Sequence, residues 1–371
     1  MNKILIIGAG AIGRGYVPWL FENAIINFAD IDKNLIQSMK TQQFYKSFMT
    51  INNQYKEKII SLDKIIDIGE ITPEEINNYN FIITCVGPRN FLKLTDLFAV
   101  TDTTIICFEN DRSLVNTMRI STNRNNIYFG IPDVISSNAS NPYKKEWPPL
   151  SLITENGKTF VEAEGKDLGG NIIYVDEKEI KKQWAAKLYI HNTPHCIAAY
   201  LGSLCAKTYL HEAMQEEKIK KIVIKATEEM KEMVKGEFSL KEEFLSYYAE
   251  KEIGRFSNKL LFDPVLRVAR EPFRKLGLND RLIGAAKKAF SQNIYPEAII
   301  IGIMSAFLFE VNTDQDALIQ PLFNSLEPGD FLSVIIRLSR NDIVYDALLK
   351  NWDKNKEFLL NLKDEVITSN N

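Results

Sequence analysis

A glycine-rich turn between an apolar run and a helical pattern is the feature that most restricts this chain. The run Lys3–Ile7 leads directly into Gly8-Ala9-Gly10-Ala11-Ile12-Gly13. The first glycine permits a tight turn, the second removes a side chain where a pyrophosphate would approach, and the third lets helix and strand pack closely. The residues expected at a bound dinucleotide are therefore Gly8, Gly10, Ile12 and Gly13.

An acidic residue ends the next apolar run. Asp30 closes the segment that begins at Ile25, about 20 residues beyond the glycines. An acid at the end of the second strand of such a unit accepts hydrogen bonds from ribose hydroxyls and repels a 2′-phosphate. No arginine follows immediately, so NAD is favoured over NADP, and Lys33 is the one residue that keeps NADP open.

A second turn, Val86-Gly87-Pro88, follows the apolar run that starts at Phe81. The fourth strand of a doubly wound sheet ends at the crevice where ligands bind. Val86, Gly87 and Pro88 are therefore expected beside the cofactor. The alternative is a plain turn that contacts no ligand.

Apolar runs rich in β-branched residues alternate with helical or turn segments through the first half of the chain. They cover Lys3–Ile7, Ile25–Ala29, Phe81–Val86, Thr103–Phe108 and Ile127–Ile131. This alternation is typical of a parallel sheet flanked by helices. Three later runs, separated by Asn156-Gly157 and Gly169-Gly170, predict a small antiparallel addition; they are Leu150–Ile153, Thr159–Ala163 and Asn171–Val175.

The second half of the chain has a different pattern. From Ile180 onward, apolar residues recur at spacings of three and four almost to the C-terminus. A chain of 371 residues also exceeds the usual size of one hydrophobic core. We expect an α/β protein in which residues 1–182 form a Rossmann-type, doubly wound NAD-binding domain with the antiparallel addition. Residues 183–371 are expected to form a mainly α-helical domain that carries the substrate and catalytic groups.

Composition argues against several classes of protein. The formal net charge is −3 and lysines interleave with acids, so nucleic acid is not an expected partner. No run approaches the roughly 20 apolar residues of a membrane span, and the N-terminus lacks a signal-peptide pattern, which favours the cytoplasm. Four cysteines without a CxxC pair and only three histidines make a zinc site hard to assemble, so buried packing thiols are expected. The helical half has no long apolar heptad seam, which favours a monomer.

Three polar residues interrupt an otherwise apolar helical segment. Around the axis of an ideal helix, at about 100° per residue, the side chains lie at about 0° for Lys187, 140° for Asn192 and 80° for His195. All three are therefore able to face one cleft. Pro194 disturbs the turn before it. An NAD-dependent oxidation of an alcohol needs a base for the hydroxyl proton and donors for the developing alkoxide. Spacing alone is equally compatible with a surface lysine, a core histidine and a capping asparagine.

The pattern KxxxxNxxH resembles the signature of the polyol-specific long-chain dehydrogenases, in their mannitol-1-phosphate 5-dehydrogenase branch. The resemblance extends over nearly the whole chain. In the first half it covers Gly8–Gly15, Phe28–Asp30, Val86–Pro88 and Glu109-Asn110. In the second half it covers Tyr209–Met214, Arg255–Asn258, Arg270–Leu276 and Asp280–Leu282.

This resemblance implies a mechanism. Lys187 is the expected general base, Asn192 donates to the substrate oxygen, and His195 orients or hydrogen-bonds the substrate. Asn110 is matched to a second amide donor of the family. No metal is required, and the partner is a small polyol or ketose phosphate, with mannitol 1-phosphate and fructose 6-phosphate first.

Other residues bear on which substrate is bound. Arg274, Lys275 and Arg281 either supply positive charge for a substrate phosphate or pair with Glu271 and Asp280 to fix a loop. Arg14 is expected to contact a cofactor phosphate or only solvent.

The chain departs from the family in one loop. The family usually carries Val-Asp-Arg after the fifth strand, whereas this chain has Pro132-Asp133-Val134-Ile135-Ser136-Ser137-Asn138. Asp133 is taken as the replacement acid in the substrate pocket. The change keeps another polyol phosphate, a free polyol or a hexuronate open as the substrate.

Two rival functions remain. Tyr174 and Lys178 have the YxxxK spacing of short-chain reductases, but they lie in a strand-to-turn segment and the glycine pattern differs from that family. A non-catalytic NAD-binding regulatory protein needs the glycines but not a lysine base beside two donors. Turnover on a panel of polyols separates that rival from an enzyme.

Overall fold

The computed structural model describes residues 2–137, 147–238, 240–310 and 315–369. The chain divides into two compact units, Met1–Gln183 and Trp184–Asn371, which we call the N-terminal and C-terminal units. Asn138, the last residue of the loop that departs from the family pattern, lies outside the described residues.

The described part of the N-terminal unit contains twelve strands. They are Asn2–Ile7 (β1), Ala24–Asp30 (β2), Phe44–Ile51 (β3), Gln54–Ser61 (β4), Ile65–Asp67 (β5), Phe81–Thr84 (β6), Thr104–Cys107 (β7), Ile127–Pro132 (β8), Ser136–Ser137 (β9), Leu152–Glu155 (β10), Thr159–Glu162 (β11) and Ile173–Val175 (β12). Eight of them form one sheet in the order β12-β11-β8-β7-β6-β1-β2-β5. From β5 to β8 every pairing is parallel. This is the 3-2-1-4-5-6 order of a doubly wound dinucleotide-binding sheet, and the predicted fold class is confirmed.

Short helices and two 3-10 turns connect these strands. The helices are Ala11–Gly15 (α1), Val17–Leu20 (α2), Lys33–Thr41 (α3), Pro73–Ile76 (α4), Pro88–Phe91 (α5), Thr95–Ala99 (α6), Arg112–Thr122 (α7) and Glu177–Ala185 (α8), and the 3-10 turns are Ile68–Glu70 and Leu92–Leu94. Carboxylates begin the two longest helices of the βα connections: Asp32 accepts from backbone nitrogens of α3, and Asp111 does the same for α7.

The predicted antiparallel addition is wrong. β10 belongs to a second sheet of order β4-β3-β10-β9, where it runs parallel to β3 and antiparallel to β9. β11 instead extends the main sheet, antiparallel to β8 and parallel to β12. The turn at Gly157 does not join paired strands: a Cβ there would lie 2.2 Å from the carbonyl oxygen of Asp133. The glycine therefore permits close approach to another segment rather than a hairpin.

Sequence reasoning also missed the hairpin of β3 and β4. These strands pair antiparallel through a two-residue turn, Asn52-Asn53, in which both residues have positive φ (49° and 59°). Asparagine tolerates the left-handed region, and such turns match the twist of paired strands. The two asparagines were the available signal.

The C-terminal unit is helical. Its α-helices are Thr193–Leu204 (α9), Leu210–Ala213 (α10), Glu217–Phe238 (α11), Glu242–Phe256 (α12), Val265–Ala269 (α13), Pro272–Lys275 (α14), Ile283–Ser291 (α15), Glu297–Phe307 (α16), Ile319–Ser325 (α17), Pro328–Asp330 (α18), Ile343–Lys350 (α19) and Trp352–Ser369 (α20). Two π-helical segments, Ala186–Asn192 and Phe331–Ile335, and two 3-10 turns, Lys259–Leu261 and Gln315–Leu318, complete the described elements.

Helix α9 is the buried centre of this unit. Its first ten residues, Thr193–Gly202, are all buried, and α11, α13 and α16 pack around it. Gly302 brings α16 close, because a Cβ there would lie 2.4 Å from the Ile197 side chain. A helix that is apolar all round is expected at the middle of a core, so the few polar side chains near its start need a separate explanation. Among the described residues, no helix is long and apolar enough to cross a membrane.

Candidate active site

The glycine turn lies at the carboxyl end of β1 and is held by close backbone contacts. Gly8 has φ +98°, and a Cβ there would lie 2.6 Å from the backbone carbon and oxygen of Cys85. A Cβ at Gly13 would lie 2.1 Å from the carbonyl oxygen of Gly8. A Cβ at Gly10 would meet no described atom within 4 Å, so this side of the turn is open. Two glycines thus serve the fold, and Gly10 leaves space for a ligand.

Asp30 lies directly against this turn. One carboxylate oxygen accepts from the backbone nitrogen of Ala9 at 2.7 Å, and the other accepts from Ile31 and Asp32 at 2.8 and 2.9 Å. The acid at the end of β2 is therefore fixed beside the glycines, as the dinucleotide hypothesis requires. Lys33, at the start of α3, is exposed.

The turn after β6 is held by a residue whose role the sequence reasoning missed. The backbone nitrogens of Val86 and Gly87 donate to the two carboxylate oxygens of Glu109, at 3.1 and 2.8 Å. Glu109 is buried, and burial raises the pKa of its carboxyl group. Pro88 begins α5 with Gly87, at φ +80°, as its N-cap. An acid next to an apolar strand was the signal in the sequence.

Three further candidate site residues lie in the N-terminal unit. Ile12 is half-buried in α1, Asn110 is exposed beside Glu109, and Asp133 is buried just beyond β8. The backbone nitrogen of Asp133 donates to the carbonyl oxygen of Lys158 at 2.9 Å.

The expectation that Arg14 contacts only solvent is wrong. Its guanidinium group is buried and donates to the carbonyl oxygens of Ala9 and Leu150, at 2.5 and 2.7 Å. Burial lowers the pKa of Arg14. Arg14 fixes the glycine turn from behind.

In the C-terminal unit, Lys187 and Asn192 belong to the π-helical segment Ala186–Asn192, which joins α8 to α9. A π-helix bonds residues five apart, so it places positions i and i+5 on one face. The angle of about 140° expected for an ideal α-helix therefore does not apply. Pro194 in the first turn of α9 explains the irregularity, because it lacks the N–H that an α-helical turn would use.

The three signature residues are buried, with 7% of Lys187, 8% of Asn192 and 7% of His195 exposed. The alternative with a surface lysine is therefore wrong. The Nδ2 atom of Asn192 is buried and has no hydrogen-bond partner among the described residues. An unpaired buried amide is costly for folding alone and calls for a functional explanation. A donor kept for a substrate oxygen is such an explanation.

His195 is hydrogen-bonded to Asp263, which in turn pairs with Arg267. Its Nε2 atom lies 3.0 Å from a carboxylate oxygen of Asp263, whose other oxygen accepts from Arg267 at 2.5 and 2.9 Å. Burial opposes ionisation of Asp263, but Arg267 and His195 outweigh it and lower the pKa of that carboxyl to about 2. Burial lowers the pKa of His195, although Asp263 acts in the opposite direction. Asp263 was not identified from the sequence, because it lies 68 residues from His195 in the chain.

A second histidine has a similar arrangement one turn earlier. The Nδ1 atom of His191 bonds a carboxylate oxygen of Glu252, which also accepts from Arg255 at 2.8 Å. The rings of His191 and His195 have centroids 4.8 Å apart, and His195 stacks on Phe256. Two adjacent histidines are thus held by different carboxylates.

The basic residues Arg274, Lys275 and Arg281 have partners within the C-terminal unit. Arg274 pairs with Glu271 and Asp280, each at 3.1 Å, and Arg281 Nε donates to Asp280 at 2.8 Å. Lys275 donates to backbone carbonyls of the preceding segment, and burial lowers its pKa well below the usual range. The loop-fixing alternative therefore describes the contacts present.

One hydrogen bond connects this basic segment to the signature. Thr193, which follows Asn192, donates through its hydroxyl to the carbonyl oxygen of Arg281 at 2.7 Å. The start of α9 and the basic segment are consequently neighbours within one unit.

The cysteines and the possible metal ligands are the last groups to consider. Cys107, Cys196 and Cys205 are buried free thiols, and Cys85 is half-buried. Within the described ranges, no group of three or more His, Cys, Asp or Glu side chains is arranged to hold a metal ion.

Comparisons with known proteins cover both units. The family model for the mannitol dehydrogenase Rossmann domain matches residues 2–103, and that for the mannitol dehydrogenase C-terminal domain matches residues 179–353. The mannitol-1-phosphate 5-dehydrogenase of Thermoanaerobacter pseudethanolicus is 29% identical over 96% of this chain and 99% of its own length. The enzyme of the same name from Bacillus subtilis is 27% identical over 94% of this chain and 99% of its own.

Solved structures agree in fold. The mannitol 2-dehydrogenase of Pseudomonas fluorescens, solved as a ternary complex with NAD and D-mannitol, superposes with a TM-score of 0.77 over 99% of this chain and 93% of its own, at 13% identity. A substrate-free D-sorbitol dehydrogenase gives a TM-score of 0.62 over 93% of this chain and 94% of its own, at 15% identity.

Proposed function

The chain belongs to the mannitol dehydrogenase family, and from this premise we propose that it is an NAD-dependent enzyme that interconverts mannitol 1-phosphate and fructose 6-phosphate. The predicted family and the predicted dehydrogenase class are thereby confirmed. The substrate, the catalytic residues and independence from metals are the parts that we propose.

NAD is the cofactor, and the N-terminal unit suits it. The open side of Gly10 would admit the pyrophosphate, and Asp30 would accept from the ribose hydroxyls. Val86, Gly87 and Pro88 would contact the same ligand from the end of the neighbouring strand. When bound, NAD supplies the acceptor for the hydride. The Asp30 carboxylate would repel a 2′-phosphate, which supports NAD over NADP.

One observation carries the chemistry: Asn192, whose Nδ2 has no hydrogen-bond partner among the residues that the structure describes, lies in the same helical segment as buried Lys187. Lys187 is the proposed general base that takes the hydroxyl proton, and Asn192 donates to the substrate oxygen as its negative charge develops. His195 hydrogen-bonds the substrate and orients it. Asn110 is proposed as the second amide donor. No step in this scheme requires a metal ion.

A phosphate on the substrate would meet the basic segment. Arg274 and Arg281 share the Asp280 carboxylate, and Arg281 contacts it through Nε, one of its five N–H donors. Guanidinium groups bind phosphate through paired donors, so Arg281 and Arg274 are proposed as its ligands, with Lys275 behind them. Asp133 is proposed to contact a substrate hydroxyl.

A second substrate class has its own support. The existing ion pairs of Arg274 and Arg281 satisfy part of their charge without a phosphate, and the family's Val-Asp-Arg segment is replaced here by Pro132-Asp133-Val134. The ion pairs favour a free polyol, which has no phosphate to bind, and the altered loop favours a change of substrate more generally, to another polyol phosphate or a hexuronate.

A spectrophotometric NADH assay tests the proposal. Fructose 6-phosphate, fructose, other ketose phosphates and fructuronate are compared, with and without a chelator. Lys187→Ala should abolish turnover. Lys182→Ala, a partly exposed lysine on the same helical run, should retain it. Turnover that is confined to fructose 6-phosphate and insensitive to the chelator supports the full proposal. Activity only on another ketose identifies a different substrate. No turnover of any compound contradicts the enzymatic function.

A further inference from the structure

Asp263 is a carboxylate that contacts the signature histidine, His195, from a distant part of the chain. It lies between the 3-10 turn Lys259–Leu261 and α13, and its contact with His195 Nε2 spans 68 residues of sequence. Asp263 is only 4% exposed, so water does not compete for this hydrogen bond. Arg267, in the first turn of α13, binds the other carboxylate oxygen and holds the group in place.

The protonation states follow from this geometry. A carboxylate that accepts from an arginine at 2.5 and 2.9 Å is ionised and has only acceptor atoms. The hydrogen bond to His195 at 3.0 Å must therefore use a proton on Nε2. A buried imidazole that stays neutral carries one proton, which leaves Nδ1 unprotonated and able only to accept.

We propose that Asp263 is a positioning residue that fixes His195 as the Nε2–H tautomer, so that Nδ1 accepts a hydrogen bond from a hydroxyl of the substrate. This inference rests on the proposed function for the identity of the substrate, but the tautomer itself is a property of the free protein. A histidine fixed in this way recognises a hydroxyl group and discriminates against a ligand that offers only an acceptor at that position.

The neighbouring histidine provides an internal contrast. His191 meets its carboxylate, Glu252, through Nδ1 rather than Nε2. The two buried histidines should therefore hold their protons on opposite nitrogens, although they lie one helical turn apart. No common influence, such as the pH of the solution, predicts opposite tautomers.

Nitrogen-15 NMR of the free protein tests the tautomer. The chain has three histidines, so ¹⁵N-histidine labelling gives three ring systems, and His211→Asn identifies one of them. At neutral pH we expect one buried ring with its proton on Nε2 and the other with its proton on Nδ1. The Nε2–H ring should lose its single tautomer in Asp263→Asn. A parent spectrum in which no buried ring holds its proton on Nε2, or an unchanged spectrum in Asp263→Asn, would overturn the proposal without bearing on enzyme turnover.

Kinetics provides the second readout. Asp263→Asn should lower kcat/KM on the order of 100-fold, because loss of tautomer control in a histidine–carboxylate pair is catalytically severe. Asp263→Glu, which keeps the charge, should recover part of this loss.

Asp342→Asn is the matched control. Asp342 is also a mostly buried carboxylate and pairs with Lys287 at 2.6 Å, but it caps α19 instead of contacting a histidine. It should leave the histidine spectrum and kcat/KM unchanged. If Asp263→Asn unfolds the protein, the parent spectrum still decides the tautomer, and a parent protein in which no buried ring holds its proton on Nε2 contradicts the proposal.

Discussion

Lys187 and Asn192 stand at nearly opposite ends of one π-helical segment, five residues apart, and both are buried. The spacing matches the i to i+5 repeat of a π-helix and not the i to i+4 repeat of an α-helix. The spacing of the two polar residues in the signature therefore fits the π-helical geometry of this segment. A π-segment at this position is consistent with the frequent occurrence of such segments at functional sites.

The Nδ2 atom of Asn192, which has no hydrogen-bond partner in the described part of the chain, predicts a conflict between stability and activity. Asn192→Ala should lower kcat about 100-fold or more, because the proposed donor to the developing oxyanion is lost. The free energy of unfolding should stay the same or rise, because an unsatisfied buried donor is removed. Urea unfolding and steady-state kinetics measure the two effects. In the control Asn351→Ala, whose amide bonds Tyr295 and Ala347, stability should fall by about 1 kcal/mol and kcat should not change.

The two ends of the glycine turn should respond differently to a methyl group. Gly8→Ala places Cβ 2.6 Å from the Cys85 backbone at a positive φ, so it should cost about 1–3 kcal/mol of stability as well as cofactor binding. Gly10→Ala meets no described atom within 4 Å, so the fold should be unaffected while NADH affinity falls. Thermal unfolding and NADH fluorescence titration separate the cases. Equal affinity in Gly10→Ala and the parent protein would contradict the placement of the pyrophosphate.

Asp30 should determine cofactor preference. Asp30→Ser removes the carboxylate that is proposed to bind the ribose hydroxyls, so NADH affinity should fall about tenfold and the ratio of NADPH to NADH affinity should rise. Asp32→Ser is the control, because Asp32 caps α3 through Asn34 and Leu35. It should leave that ratio unchanged. Titration of both variants with both cofactors provides the measurement, and a similar ratio in the two variants would argue against Asp30 as the ribose ligand.

Glu229 should make stability depend on pH. It caps α16 across the unit, accepting from the backbone nitrogens of Ala298 and Ile299 at 2.9 and 3.1 Å, and burial raises its pKa from 4.5 to about 7. The folded state therefore binds more protons than the unfolded state between these values. Stability from this group is fully present below pH 4.5 and is lost as pH rises towards 7, on the order of 1–3 kcal/mol in total.

The measurement for Glu229 is urea unfolding at pH 5 and pH 8 for the parent protein and for Glu229→Gln. The glutamine cannot ionise, so the difference between the two pH values should shrink. Glu228→Gln, an exposed neighbour paired with Lys231, should preserve the parent's difference. An unchanged difference in Glu229→Gln would show that another group produces the pH dependence.

The sequence by itself determined the features that short-range physics controls. A strand, three glycines and a helix start within 13 residues predict the nucleotide end of a doubly wound sheet, and Asp30 follows from the same motif. The spacing of Lys187, Asn192 and His195 identified the buried polar cluster, although ideal helix geometry gave the wrong angle. These inferences succeeded because each depends on residues close together in the chain.

Only the tertiary structure decided which distant groups meet. Asp263 reaches His195 across 68 residues, and Glu109 reaches Gly87 across 22. The segments Leu152–Glu155 and Thr159–Glu162 are neighbours in sequence but join different sheets. Turn residues such as Gly157 specify that the chain bends and say nothing about the partner strand, because pairing depends on burial of both faces over the whole unit. The basic residues Arg274 and Arg281 likewise gained their partners only when the chain folded around Asp280.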